Sequence, residues 1–341
     1  MTSLRTFIVT RIALLLPMLW FLVTVVFILL RVLPGDPVTA LSPQLPAHQA
    51  EAIREELGLN RSILEQYIEF FIRILTLDFG TSINSKLPVG YELQLKYGAT
   101  ITLTLFSVII GVPLGVLLGG YAGAKREKYH DHAIRLFTIA IYAVPIFLLG
   151  ILLQILFSYQ TGLLLPILPP LDLISAGGTG EFTHYTEIWL IDTLLSGRPD
   201  LTINILIHLI LPCACLGMLI ASTIARQVRT HMIHQLEQDY VQFARARGVP
   251  ESNVVYRDVL KNSAIPTIGL IGLMIALLLA GAVLTETTFN IPGLGRYLFD
   301  AIQYRDFPAV QGGVVLFAVV VGLISLLADV LYAILDPRIR Y

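Results

Sequence analysis

Residues 238–266 read QDYVQFARARGVPESNVVYRDVLKNSAIP, a polar and basic stretch that separates two long apolar runs. Gly248 divides this stretch. The residue pattern predicts one helical segment at 242–247 and a second, amphipathic one at 253–262. We therefore expect the wider region 226–266 to present a helical surface that another protein can bind.

The composition places the chain among membrane proteins. Of its 341 residues, 55% are hydrophobic and 14% are charged, and the mean hydropathy is +0.76, a combination that soluble domains do not show. The net charge of -1 provides no basic field for nucleic acid, which we do not expect as a partner. Cys213 and Cys215 are two residues apart in a predicted helix and cannot form a normal disulfide, so we interpret them as packing thiols.

Six apolar runs are long enough to cross a bilayer core of about 30 Å as helices. We predict an all-α polytopic protein with spans at 12–30, 99–124, 136–159, 205–225, 267–284 and 314–335. The first run is too long for a signal peptide and no small-residue cleavage site follows it, which predicts an uncleaved anchor. The predicted parts are an anchor at 1–32, an extracytoplasmic segment with short helices at 33–97, and a transmembrane core at 98–341.

The distribution of Lys and Arg predicts the orientation in the membrane, because translocated connections are poor in positive charge. With the amino end inside, most of the 23 basic residues fall on the cytosolic side, among them Lys125, Arg126, Arg245 and Arg247. The connections on the other side are longer and carry more acidic residues. Both termini are therefore predicted to be cytosolic, and region 226–266 with them.

Two outer connections carry local structure. The pattern at 46–80 predicts two short helices, the first ending at Gly58. The second helix would either lie on lipid or cover the bundle, or it would dock an external partner. The prolines and glycines of 160–204 predict a loop with at most short helices. The apolar face of the second helix at 46–80 consists of Ile63, Tyr67, Phe70, Phe71 and Ile74.

Several separated signatures appear together in this chain. They are RIALLLPMLWFLVTVVFILLRVLPGDP at 11–37, LGLNRSILEQY at 57–67, DFGTSI at 78–83, the 238–266 stretch, and ETTFNIPGLGR at 286–296 within a longer carboxyl-terminal match. In this order they resemble the dipeptide, oligopeptide and nickel branch of the ABC importer permeases, and most nearly the dipeptide permeases. The resemblance covers nearly the whole chain.

The resemblance implies a type I importer fold with a cytosolic coupling helix, in the cell membrane of a bacterium or archaeon. It implies a permease subunit that forms half of a translocation pathway for dipeptides or oligopeptides. Its implied partners are a second, homologous permease, two cytosolic ATPase subunits and an extracytoplasmic solute-binding protein. No cofactor is expected in this chain, because ATP and Mg would be bound by the ATPase subunits. Nickel chelates, haem and oligosaccharides remain alternative substrates.

In that family the cytosolic loop carries a Glu-Ala-Ala triplet followed three residues later by Gly. Gln242 and Phe243 replace the first two positions here. Glycine would supply the turn, alanine would permit close helix approach, and arginine would offer forked donors to acidic groups of a partner. A basic loop that only enforces topology is the alternative. The residues predicted to couple to an ATPase are Asp239, Tyr240, Ala244, Arg245, Ala246, Arg247 and Gly248.

A second motif follows the fifth predicted span. Its proline and glycines predict a tight non-helical turn outside the membrane. By the resemblance, this turn would shape an outer gate or contact the binding protein; a turn that merely caps the bundle is the alternative. The candidate residues are Glu286, Pro292, Gly293, Gly295 and Arg296.

The chain lacks the G-x-x-x-x-G-K-[ST] pattern of an ATP-binding loop, so we expect a non-catalytic subunit driven by ATPase partners. The hypothesis is that their closure moves 242–262 as a lever and alternates access to the pathway. An ion-coupled secondary transporter is the rival class. It would normally carry carboxylates near mid-membrane, and acidic residues are nearly absent from the predicted spans.

Isolated polar groups in or near the spans have simpler interpretations. For Asp329 we expect snorkelling or a local hydrogen bond rather than a place in the substrate path. For His208 we expect a buried, hydrogen-bonded imidazole. Pro17, Pro113, Pro145 and Pro212 are predicted to kink their helices. The remaining candidates are surface histidines without metal-ligand spacing, namely His130, His132, His231 and His234.

Overall fold

The computed structural model describes residues 4–32, 51, 54–55, 60–158, 163–164, 167–175 and 182–335. Within these ranges the chain is helical, with isolated bridges at Thr81–Pro88 and Ser158–Leu168 in place of a sheet. The first six helices are α1 (Leu4–Val32), α2 (Ile63–Leu75), α3 (Val89–Ala124), α4 (Tyr129–Ala143), α5 (Ile146–Phe157) and α6 (Trp189–Leu195).

The second half of the chain begins with the longest described helix. The helices are α7 (Pro199–Leu236), α8 (Asp239–Ala246), α9 (Glu251–Asn253), α10 (Leu260–Ala264), α11 (Thr267–Thr288), α12 (Leu294–Gln303) and α13 (Phe307–Leu335). A π-helical stretch, Val254–Val259, joins α9 to α10 without a break.

The prediction of an all-α polytopic protein is confirmed. Within the described ranges, α1, α3, α7 and α13 are each long and apolar enough to cross a membrane. Two bent pairs bring the number to six if each pair is one span. The first pair is α4 with α5, and the second joins Glu251–Ala264 to α11.

The third predicted span, 136–159, is broken at Pro145, where a kink was expected, and the break is sharper than a kink within one helix. α4 ends at Ala143, α5 begins at Ile146, and the two axes differ by 111°. Pro145 precedes α5. Val144, the residue before this proline, has an extended backbone and ends α4, a conformation that a following proline favours. Pro17, Pro113 and Pro212, in contrast, lie inside continuous helices.

The predicted loop 160–204 is partly corrected. It contains the short helix α6, as expected, but its last residues already belong to α7, which begins at Pro199. Proline is favoured in the first turn of a helix, where its missing N–H costs no hydrogen bond. The fourth span is therefore 38 residues long and extends beyond the predicted run at both ends.

The centre of the bundle is the contact between α3 and α7. Gly111, Gly115 and Gly119 lie on one face of α3, and a Cβ on any of them would come within 2.5–2.9 Å of a backbone oxygen of α7. Small residues at this spacing let two helix backbones approach closely within a membrane. Around this seam pack fully buried side chains that include Leu103, Leu216, Ile220 and Ile224.

Helix α2 covers α1, one of the outcomes predicted for it. Tyr67 and Phe70 pack against Phe27 of α1, with ring centroids 5.3 and 5.5 Å apart. The hydroxyls of Tyr67 and Thr24 lie 2.8 Å apart. Ile63 is 68% exposed and does not belong to this buried face. The first helix predicted in this segment, before Gly58, falls mostly outside the described residues.

The isolated polar groups have local partners. Asp329 of α13 lies 3.2 Å from Arg11 of α1; this ion pair between two helices differs from the snorkelling or local hydrogen bond that was expected. His208 is buried and its Nδ1 lies 2.8 Å from the carbonyl of Asn204. Cys213 and Cys215 are buried free thiols. The expectations for His208 and for the two cysteines are confirmed.

Candidate functional site

The segment around Gly248 is an ordered helix–turn–helix. α7 continues to Leu236, so the connection predicted to begin at 226 begins only at Glu237. The first predicted helix occupies Asp239–Ala246 and the second occupies 251–264. Between them Gly248 has φ +73°, a left-handed conformation that side chains disfavour. The predicted turn at Gly248 is therefore present.

A buried apolar face attaches α8 to the bundle. Val241 of α8 is fully buried, as are Val254 and Val259 of the π-helical stretch. Ala244 packs against the same core, which agrees with the close approach expected of alanine. The attached segment lies in the chain between α7 and α11.

The opposite face of α8 is exposed and combines aromatic with basic side chains. Phe243 is 64% exposed, and Tyr240 is exposed as well. The Arg247 guanidinium lies 5.8 Å from the centre of the Phe243 ring. Aromatic residues and arginine are the types enriched at protein interfaces. Phe243, which departs from the family triplet, is thus a candidate contact residue that motif matching missed.

Arg245 is engaged within the chain. Its Nε and Nη2 donate to the Glu251 carboxylate at 3.0 and 2.6 Å. This exposed pair spans the Gly248 turn and links α8 to α9. The Arg245 side chain beside it lowers the pKa of Glu251. To reach an acidic group of a partner, Arg245 would therefore have to leave Glu251. The contact described for Arg247 is with the Phe243 ring.

A buried ion pair stands next to this segment and was not predicted from the sequence. Asp131 of α4 is fully buried and accepts hydrogen bonds from Nε and Nη2 of Arg229 on α7, at 2.5 and 2.7 Å. Asp131 also accepts from the backbone N–H of Glu127. The pair joins the bent third span to the helix that leads into α8. We call this part of the molecule the Gly248 end.

At the other end of α11, which we call the far end, Glu286 organises the turn that precedes α12. Its side chain is fully buried. Glu286 Oε1 accepts from Thr100 Oγ1 of α3 at 2.5 Å, and Oε2 accepts from the backbone N–H of Arg296 at 2.9 Å. Thr100 Oγ1 in turn accepts from the backbone N–H of Leu294 at 2.8 Å.

The glycine of the turn is required by this carboxylate. A Cβ on Gly293 would lie 2.3 Å from Cδ of Glu286. The Arg296 side chain is fixed on the other side of the turn, where it donates to Asn290, and Asn290 donates to Asp172. The structure thus brings together the predicted residues Glu286, Gly293 and Arg296. Pro292 and Gly293 lie in the turn, but Gly295 already belongs to the first turn of α12, so the non-helical turn is shorter than predicted.

The histidine pairs of the Gly248 end do not form a metal centre. Within the described ranges, no group of three or more His, Cys, Asp or Glu side chains is arranged to hold a metal ion. His231 lies 3.0 Å from the Gln227 amide, and His130 packs edge-on against Tyr121.

Comparison with known proteins gives consistent matches along the chain. Residues 111–341 match the family model described as binding-protein-dependent transport system inner membrane component. Residues 4–106 match the amino-terminal model of the same kind of membrane component. The two matches together cover α1, α2, both candidate sites and all of the bundle except residues 107–110 of α3.

Individual relatives align over almost their whole length. The di/tripeptide transport system permease protein of Pseudomonas aeruginosa is 37% identical, over 98% of this chain and 99% of that protein. The dipeptide transport system permease protein of Escherichia coli K12 is 35% identical, over 98% of each. The glutathione transport system permease protein of Salmonella choleraesuis is 33% identical, over 98% of this chain and 99% of that protein.

Proposed function

Because this chain belongs to the family of binding-protein-dependent transport system inner membrane components, we propose that it is a permease subunit of an ATP-driven importer of dipeptides and oligopeptides. It is a multi-pass protein of the cell membrane. The observation that carries the peptide substrate is the full-length similarity to permeases named for dipeptides and di/tripeptides. That similarity favours peptides over nickel chelates, haem and oligosaccharides.

The subunit does not itself hydrolyse ATP in this proposal. Two cytosolic ATPase subunits bind ATP and Mg, a solute-binding protein delivers the peptide from outside, and a second, homologous permease completes the pathway. The absence of an ATP-binding loop from the sequence and the family's dependence on a binding protein support this division of labour.

Coupling to the ATPase is assigned to the exposed face of α8. Tyr240, Phe243 and Arg247 would enter a groove of an ATPase subunit, with Ala244 and Val241 fixing the helix to the bundle. This assignment places the Gly248 end and both termini in the cytosol. The firm apolar attachment of α8 supports a lever, because a loosely tethered helix would absorb the ATPase movement instead of transmitting it.

The turn at the far end would then face the outside of the cell. There it shapes the outer gate or contacts the binding protein. Support comes from the way Glu286 ties the turn to α3 through Thr100. A movement of α3 or α11 that breaks this contact would release the turn and change access from the outside.

The proposal is tested by purifying the tagged chain after expression with its ATPase, permease and binding-protein partners, and reconstituting the complex in liposomes. We expect the ATPase subunits to co-purify. We also expect peptide uptake to require both ATP and the binding protein, and to persist when ionophores abolish ion gradients. Uptake by this chain alone, driven by an ion gradient, would show a secondary transporter and contradict the proposal.

A further inference from the structure

A cavity of about 380 Å³, with mostly polar residue types in its wall, lies at the far end, between the first turns of α3, the loop at 82–85 and helix α12. Its volume is within the range of sites that hold small molecules. The Glu286 turn forms part of its wall through Pro292 and Gly293. The cavity is therefore next to the candidate outer gate and is distinct from the apolar seam between α3 and α7.

Two helices each supply one acidic and one basic side chain to this cavity. Glu92 and Lys96 lie four residues apart on α3, and Arg296 and Asp300 lie four residues apart on α12. Residues at this spacing share one face of a helix. The cavity thus presents charges of both signs from two opposed faces, a pattern that fits a ligand carrying both charges itself.

Most of these charges already have partners. The Tyr297 hydroxyl donates to Glu92 at 3.0 Å. Arg296 donates to Asn290, and its Nε lies 3.9 Å from Asp300. Asp306, which also lines the cavity, is almost fully buried, where it accepts from the Ser82 hydroxyl and the Asn84 N–H.

Lys96 is the exception. Its side chain is only partly exposed. Among the described residues no carboxylate lies within ion-pair distance of it, and no hydrogen bond fixes it. Lys96 lines the cavity, so an anion that enters the cavity would supply the missing counter-charge. Glu92, one turn away, accepts from Tyr297 through Oε2 and also lines the cavity.

We propose that this cavity binds a short peptide by its two charged ends, with Lys96 holding the carboxylate and the acidic pair Glu92 and Asp300 facing the ammonium. The inference rests on the proposed function, and it locates a peptide-binding site on this subunit. A site that binds the two termini makes few specific contacts with the peptide side chains. The site would therefore accept peptides of varied sequence while excluding solutes that lack one of the two charges.

The test measures binding of radiolabelled alanyl-alanine by equilibrium dialysis to the complex of both permeases and the ATPases, without the binding protein. We expect saturable binding to the wild type and a loss of about tenfold or more in Lys96→Met, since a hydrogen-bonded charge pair is removed. Lys96→Arg should retain most of the affinity. The matched control is Lys86→Met, which removes the same charge from an exposed lysine outside the cavity.

A modified ligand separates loss of the contact from general damage. Alanyl-alanine amide lacks the carboxylate, so it should bind the wild type weakly, and Lys96→Met should weaken it no further. Equal effects of Lys96→Met on both ligands, or unchanged binding of alanyl-alanine to Lys96→Met, would overturn the inference. So would an absence of saturable binding to the wild-type complex.

The outcomes also separate this inference from the proposed function. If the wild-type complex with its binding protein imports peptides but Lys96→Met leaves alanyl-alanine binding intact, the site is wrong and the function stands. If Lys96→Met instead weakens only the association of the binding protein, the cavity is a protein contact and the inference fails. If the wild type imports no peptide at all, the proposed function fails.

Discussion

Asp131 and Arg229, 98 residues apart in the chain, form a two-point ion pair in which Nε and Nη2 of the guanidinium lie 2.5 and 2.7 Å from the two carboxylate oxygens. The carboxylate is fully buried. The pair fixes the first half of the bent third span to the last turns of α7, immediately before the helix that we assign to ATPase coupling. It therefore holds the base of the proposed lever in position.

Replacement of Asp131 by Asn should destabilise the protein measurably. The substitution keeps the shape but leaves Arg229, whose side chain is only 20% exposed, without its counter-charge. We expect a loss of about 2–3 kcal/mol in unfolding free energy, below the cost of breaking a fully buried pair because Arg229 reaches solvent. The measurement is an SDS unfolding titration of the purified protein in detergent micelles.

The control for this variant is Glu237→Gln. Glu237 pairs with Arg126 at 2.9 Å near the same end, but the two side chains are 62% and 48% exposed. Exposed pairs contribute less than about 1 kcal/mol. Equal losses of unfolding free energy in the two variants would contradict the account, because the buried pair would then stabilise the protein no more than the exposed one.

Thr100 should be critical at the far end. Its hydroxyl accepts from the Leu294 N–H and donates to Glu286, and all three residues are buried. Thr100→Val preserves the volume but leaves a buried donor and a buried carboxylate oxygen unpaired. We expect a loss of about 2–4 kcal/mol in the same unfolding titration.

Thr102→Val provides the comparison within the same helix. Thr102 is also buried, but its hydroxyl only donates to the Gly98 carbonyl of its own helix. Loss of that bond should cost about 1 kcal/mol. If Thr102→Val proved as damaging as Thr100→Val, the network around Glu286 would have no special role in holding the turn.

Gly248→Leu should uncouple ATP hydrolysis from peptide uptake while the protein remains in the membrane. Gly248 has φ +73°, so any side chain costs about 1–2 kcal/mol of backbone strain. Within the described chain, however, a Cβ on Gly248 would meet no atom within 4 Å. The Cβ itself would therefore cause no clash within the described chain, and we attribute an expected loss of coupling beyond the strain to contact with another polypeptide.

Gly197→Leu is the control that separates backbone strain from contact with another polypeptide. Gly197 has φ +68° and is equally open, but it precedes α7 at the far end. We expect similar backbone strain in both variants, with peptide-stimulated ATP hydrolysis and uptake coupled in Gly197→Leu and uncoupled in Gly248→Leu. Normal uptake by Gly248→Leu would count against the proposed contact.

Hydropathy and local motifs predict the spans and the Gly248 turn because these depend on neighbouring residues. A segment that crosses the membrane must satisfy its backbone hydrogen bonds internally, so a long apolar run predicts a helix. A glycine between two helical patterns predicts the turn. The 111° bend at Pro145 was predicted only as a kink. The size of the bend depends on how α4 and α5 pack on the rest of the bundle, which local sequence does not contain.

The sites were predictable only in part for the same reason. The motif at the far end identifies Glu286 and Gly293, but the partner that fixes them, Thr100, lies 186 residues earlier in the chain. Arg229 contributes to the charge asymmetry that predicts orientation, yet its pairing with Asp131 cannot be read from spacing. Phe243 differs from the family triplet, and only its exposure in the folded chain identifies it as a contact residue.

The central claim, that α8 carries the contact with the ATPase, is tested most directly by cross-linking. Phe243→Cys places a thiol on the exposed face of α8, whereas the native Cys213 and Cys215 are buried. Tyr304→Cys places one at an exposed position of the far end. In the assembled, transport-active complex we predict that Phe243→Cys is captured by an ATPase subunit and Tyr304→Cys is not; an active complex in which Phe243→Cys yields no such adduct would contradict the account.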